Sequence, residues 1–223
     1  MIEIRDLAFS YGNNLVLKGI TTTLEEGKIY GLLGENGVGK TTLLTLLCGL
    51  KRVQAGTIRT DGENPFDRSA SLLEKQYYLP DEVAPVNMKA GTFAKEQGIF
   101  RKGYDHGKFL KLMEEFETDP SWKMSHMSAG QLKKTYLSFA LACNCKYLFL
   151  DEPTNGLDIP SKAQFRNAIL KYTSEFDIFQ TGYVPTTVFV DQNGHIIKME
   201  NGAETVIGSN TYEEWEAIIK NYL

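Results

Sequence analysis

Three cysteines in 223 residues are too few for a disulfide framework. Cys143 and Cys145 flank a single asparagine, so C-x-x-C redox chemistry is excluded and no thiol-redox partner is expected. The cysteines read as small hydrophobes in a reducing compartment. An excess of either charge is also lacking. Lys and Arg number 24 against 28 Asp and Glu, a net of -4, with no run of like charge. That balance argues against a nucleic-acid partner. No apolar stretch reaches the roughly 20 residues of a membrane-spanning helix. The opening Met1-Ile2-Glu3-Ile4-Arg5 reads as a strand rather than a signal peptide. Repeats and low-complexity tracts are lacking. The remaining balance, 42% hydrophobic and 23% charged, suits one α/β domain, or one with a small annex.

Against this background residues 34–42 are the most informative. Gly34-Glu35-Asn36-Gly37-Val38-Gly39-Lys40-Thr41-Thr42 fits the phosphate-loop pattern G-x-x-x-x-G-K-[ST]. The apolar run at 28–33 before it reads as a buried strand, and 41–50 after it as a buried helix. Strand, glycine turn and helix N-terminus in that order aim backbone N–H groups at an anion, which the helix dipole also favours. Lys40 adds a point charge for the β and γ phosphates, and the Thr41 hydroxyl suits Mg²⁺.

Strand-like runs at 2–4, 7–9 and 15–24 surround a turn signal at Gly12-Asn13-Asn14, and 56–59 is a further strand. Residues 87–130 are helix-rich and glycine-punctuated, with a periodic segment at Phe109, Leu110, Leu112, Met113 and Phe116. They read as a helical subdomain inserted in the α/β core. Helices are expected at 131–142 and 161–172. Tyr147–Leu150 is a continuous apolar run, as in a strand covered on both faces.

That run ends in Asp151-Glu152, a pair with separable roles. Asp151 can hold Mg²⁺ through water, while Glu152 can polarise an attacking water. Pro153-Thr154-Asn155-Gly156-Leu157-Asp158 follows. Upstream, Met127-Ser128-Ala129-Gly130-Gln131 holds an S-x-x-Q capping box, which marks a helix start whatever else it does.

Together these segments resemble the ATP-binding subunit of ABC transporters over about residues 1–175. The resemblance makes 34–42 the Walker A loop, 147–152 the Walker B strand, MSAGQ the signature and 155–158 the D-loop. It implies a phosphate-loop (P-loop NTPase) α/β fold with an antiparallel β edge near the N-terminus. It implies ATP and Mg²⁺ as ligands, with Tyr11 stacked on adenine. It also implies a head-to-tail dimer in which Ser128, Gly130, Gln131 and Asp158 of one chain complete the site of the other. Hydrolysis then energises a transmembrane permease, with the subunit at the cytoplasmic face of the membrane.

Three departures from the family pattern are visible. Ala129 stands where glycine is usual. Asp81, after Tyr78-Leu79-Pro80, stands where glutamine is usual; it can still meet Mg²⁺ or a water, though an anion is not equivalent to an amide. No histidine follows the apolar run at 188–190, where the family has a switch histidine. His195 sits in an Asn193-Gly194 hairpin signal and reads as a solvated strand residue.

Residues 177–223 instead resemble the C-terminal half of thioredoxin-like proteins. Val184-Pro185-Thr186-Thr187 matches their proline loop, 188–190 and 196–199 a closing hairpin, and Trp215, Ile218, Ile219 and Tyr222 one face of a final helix. This raises a chimera of domains 1–176 and 177–223, although a tail that merely completes the sheet suits the residues better. The missing histidine supports a second functional reading, an ATP-binding module with little turnover. A soluble ABC ATPase acting on DNA or ribosomes lacks the expected basic arm or long coiled coil.

Overall fold

The computed structural model describes residues 1–26, 30, 32, 37–175, 198–200 and 203–206. The elements run β1 (Ile2–Tyr11), β2 (Asn14–Leu24), α1 (Lys40–Leu47), β3 (Ala55–Thr60), α2 (Ala70–Lys75), β4 (Gln76–Leu79) and α3 (Ala90–Gly98). Then follow α4 (His106–Glu115), α5 (Ala129–Ala142), β5 (Tyr147–Leu150), α6 (Ile159–Glu175), β6 (Lys198–Glu200) and β7 (Ala203–Val206). Two compact units are present. The first contains Met1–Tyr77 and Lys146–Asp151, and the second contains Tyr78–Cys145 and residues 152–175.

In the first unit, β2-β1-β3 is an antiparallel sheet. Ile2 and Ile4 are buried, then Leu7 and Phe9, a change of phase that strict alternation does not allow. A bulge supplies it. The register shifts between Ile4 and Leu7, and Asp6 adopts a left-handed φ of 48°. Thr21 holds the bulge, its hydroxyl accepting from the Asp6 N–H at 2.8 Å. The opposite strand must be glycine there, because a Cβ at Gly56 would lie 2.3 Å from the Asp6 carbonyl oxygen.

α1 buries Thr42, Leu43, Leu44, Leu46 and Leu47, a helix apolar nearly all round. It spans Lys40–Leu47 rather than the expected 41–50, and turns away through Gly49 at φ 69°. Every residue of β5 is buried, as its continuous apolar run requires, and β5 lies with β4 in a two-stranded sheet.

A charged cluster ties the turn after β3 to the start of β5. Asp61 accepts from Lys146 Nζ at 2.9 Å on both oxygens and from the Tyr147 hydroxyl at 2.6 Å, while Lys146 also pairs with Glu26. Burial pushes the Asp61 carboxyl up, but these hydrogen bonds outweigh it and hold the group well below the usual carboxylate range.

The second unit carries α3, α4, α5 and α6. In α4, Phe109, Leu112 and Met113 are buried with Phe116 just beyond, at the predicted spacing, whereas Leu110 is exposed. Phe93 of α3 meets Tyr136 and Phe139 of α5 at ring separations of 5.2 and 5.3 Å. α6 covers the expected 161–172 and extends it at both ends.

In the tail, β6 and β7 pair as an antiparallel hairpin. The strand expected at 196–199 overlaps β6, which pairs with Ala203–Val206. Residues 188–190, His195, the proline loop and the terminal helix lie outside the described residues.

Candidate nucleotide-binding site

Gly34, Glu35 and Asn36 lie outside the described residues, so the phosphate loop is seen from Gly37 onward. Gly37 and Gly39 take left-handed φ values of 89° and 108°. Space is short at Gly39 as well: a Cβ there would sit 2.6 Å from Val16 Cγ1, which would have to shift. α1 begins directly after it, with no side-chain cap and no acidic residue in its first turn. A helix start of this kind presents backbone donors and a positive dipole end to an anion. Lys40 is half-buried, Thr41 is exposed and Thr42 is buried.

Tyr11 is 49% exposed at the end of β1. Its hydroxyl lies 3.3 Å from the Thr42 hydroxyl, which lowers the phenol's pKa. The Phe9 ring meets it edge-on at 5.1 Å, and Lys51 Nζ sits 5.0 Å from its centroid. The ring is thus fixed beside the phosphate loop by its hydroxyl, while much of its surface stays open to a stacking partner. Lys51 already occupies part of it as a cation–π neighbour.

At the end of β5 the two carboxylates diverge. Asp151 is 3% exposed, and it adds to the burial that raises the Cys48 thiol's pKa. Glu152 is exposed and holds φ at 44°, a left-handed conformation uncommon for a non-glycine residue. Strained backbone of this kind gathers at functional sites.

In the second unit, Ser128 and Gln131 form the predicted reciprocal box. Gln131 N–H donates to Ser128 Oγ at 3.2 Å, and Ser128 N–H donates to Gln131 Oε1 at 2.9 Å. Among the described residues nothing demands glycine at 130, since a Cβ would meet only the Gly156 carbonyl oxygen at 3.6 Å. Asp158 has a local task that the sequence reading missed: it caps α6, accepting from Ser161 N–H at 2.9 Å. The D-x-x-S spacing at the head of α6 was the available signal.

Asp81 is already engaged. Asn155 Nδ2 donates to both its oxygens at 3.1 Å, and Lys133 Nζ lies 3.7 Å from Oδ1. From sequence, Asn155 enters only as part of the 155–158 segment, and Lys133 carries no signal at all. Among the described residues, no cluster of three His, Cys, Asp or Glu side chains could hold a metal ion. Thr41 and Asp151 nonetheless offer the hard oxygen donors that suit Mg²⁺ shared with phosphate oxygens.

The ABC transporter family model matches residues 17–155. The chain belongs to the ABC transporter family. It is 28% identical over 188 residues to the lipoprotein-releasing system ATP-binding protein LolD of Leptospira interrogans, covering 78% of each chain. It is 25% identical over 232 residues to the petrobactin import ATP-binding protein YclP of Bacillus subtilis, covering 96% of this chain and 92% of that one. Its fold matches the ATP-binding cassette MJ0796, solved as a post-hydrolysis dimer with ADP and phosphate, at a TM-score of 0.73. That match covers 94% of this chain and 100% of the other at 18% identity. As an ABC ATP-binding subunit the chain binds and hydrolyses ATP to drive transport. The thioredoxin-like reading of 177–223 gains no support from these likenesses.

Proposed function

We propose that residues 34–42 and the first turn of α1 hold the phosphates of ATP, with Lys40 as their charge partner and Tyr11 against the adenine. The observation that carries this is the start of α1: a helix N-terminus with no side-chain cap from Gly39 and no acid in its first turn, directly behind a phosphate-loop pattern. Thr41 and Asp151 are the candidate Mg²⁺ holders, with Asp81 meeting the ion or the attacking water. Bound Mg²⁺ supplies charge neutralisation on the phosphates. Glu152 is the base that polarises water; its exposure and strained φ favour that role over a packing role.

Two copies meet head to tail in this reading. The signature residues Ser128, Gly130 and Gln131, with Asp158, complete the partner's site. Support comes from Gly130, a glycine that nothing among the described residues demands. The membrane partner is a permease, reached from the cytoplasmic face; no described helix is long and apolar enough to cross a membrane. Residues 177–223 finish the same cassette rather than forming a second active unit, in line with a likeness to YclP that runs over 96% of the chain.

Glu152→Gln tests the assignment. Turnover should fall by about 10²- to 10⁴-fold, the usual worth of a general base, while ATP binding persists. Unchanged turnover would show that the base lies elsewhere. Background turnover in the unaltered chain, with tight ATP binding, would favour the ATP-binding module with little turnover.

A further inference from the structure

Lys133 is a lysine where α5 should carry an apolar residue. It is 3% exposed, on a helix whose Leu132, Thr135 and Leu137 are also buried. An ammonium so placed costs several kcal/mol of desolvation unless its donors are used. Its ammonium reaches the segment after β4. Lys133 Nζ donates to the Asp81 carbonyl at 2.6 Å and to the Pro80 carbonyl at 3.2 Å, and it lies 3.7 Å from the Asp81 carboxylate. One turn along the same helix, the Tyr136 hydroxyl donates to the Ala84 carbonyl at 2.8 Å. The segment after β4 is thus fastened to the signature helix by three of its own carbonyls. Asn155, exposed, then fixes the Asp81 carboxylate from the other side by donating to both oxygens.

We infer that Lys133 is the positioning residue of Asp81: it sets the carboxylate's place and offsets its charge, so that an acid can serve beside ATP where an amide would carry none. Loss of Lys133 would remove that cation from beside the Asp81 carboxylate. Asn155 refines the orientation without supplying charge. The inference rests on the proposed reading that Asp81 faces the nucleotide site.

The test is a steady-state ATPase cycle on the full chain with Lys133→Met, Lys133→Arg, Asn155→Ala and Asp81→Ala. Lys133→Met should lower kcat by ~10- to 100-fold, as for lost outer partners of a functional carboxylate, with KM for ATP little changed. The Mg²⁺ concentration for half-maximal rate should rise, and Lys133→Arg should restore much of both. In an Asp81→Ala background, Lys133→Met should add no further loss; an equal loss there would overturn the inference. If Asp81→Ala alone leaves turnover intact, the reading of Asp81 fails instead. Lys133→Met bares two carbonyls and can lower stability, so its melting point is measured alongside. Asn155→Ala disturbs only an exposed side chain and should raise the Mg²⁺ requirement without unfolding; an unchanged requirement counts against the inference.

Discussion

α1 and α5 both open at segments that the family pattern assigns to phosphate, yet their first turns are finished in opposite ways. α5 is closed by its own residues: Ser128 and Gln131 satisfy each other's backbone N–H groups. α1 is left open, preceded by a left-handed Gly39 and no side-chain cap. The difference teaches which site is built to wait for a ligand. A capped helix keeps its start whether or not nucleotide is present. A start without a side-chain cap can take an arriving anion as a further partner, so ligand binding and local stability should be coupled at α1 and nearly independent at α5.

The largest expected effect breaks α1's side of this comparison. Lys40→Ala removes the side-chain charge while leaving the backbone cradle. Turnover should fall by about 10²- to 10³-fold, the scale seen when one stabilising donor to transition-state charge is lost. The rise in melting temperature on adding Mg-ATP should shrink with it. An unchanged ATP-dependent rise, read by differential scanning calorimetry, would mean that α1 is not where nucleotide stabilises the fold.

A smaller effect sharpens α5's side. Ser128→Ala deletes the cap and should cost ~1 kcal/mol of unfolding free energy, with or without ATP. Gly130→Ala should not lower that free energy and should raise it slightly, because alanine favours the helix and among the described residues the added methyl meets only the Gly156 oxygen at 3.6 Å. It should still lower turnover if the partner's nucleotide packs there. Urea midpoints for the two variants separate these outcomes; equal destabilisation by both would return Gly130 to an internal packing role.

Both helix starts were legible in sequence because each rests on local chemistry. G-x-x-x-x-G-K-[ST] and S-x-x-Q are short patterns whose residues act on neighbouring backbone. β5 was legible for a related reason: four consecutive apolar residues leave little choice but burial. The features that escaped depend on distant partners. The bulge at Asp6 exists because Thr21 and Gly56 accommodate it across two strands. Lys133 looked like one more solvated lysine of a helix, since nothing local says that the Pro80 and Asp81 carbonyls lie beneath it. Asp81 was expected as a metal or water contact, and its bonds to Asn155, 74 positions away, could not be read from spacing. Asp158 differs again, because its capping task was local and readable but was overshadowed by the family role.

The smallest effect concerns that cap, which makes α6 a third kind of helix start. Asp158 closes α6 with an ionisable group, whereas Ser128 closes α5 with a neutral one. Hydrogen bonds from the Ser161 side chain and backbone hold the Asp158 carboxyl below its ordinary value. A carboxyl lowered on folding contributes stability that is full above its unfolded value, near about 4, and is lost as pH falls through the lower folded value. The Ser128 cap has no such dependence. Asp158→Asn keeps the capping geometry but not the charge, so its melting temperature should fall less steeply than the unaltered chain's as pH drops below about 4. The deficit of Ser128→Ala should stay constant over the same range. Asp158 is exposed and screened by solvent, so the divergence should be slight and clearest at low ionic strength. Parallel curves for Asp158→Asn and the unaltered chain would mean that the α6 cap works through geometry alone, as the α5 cap does.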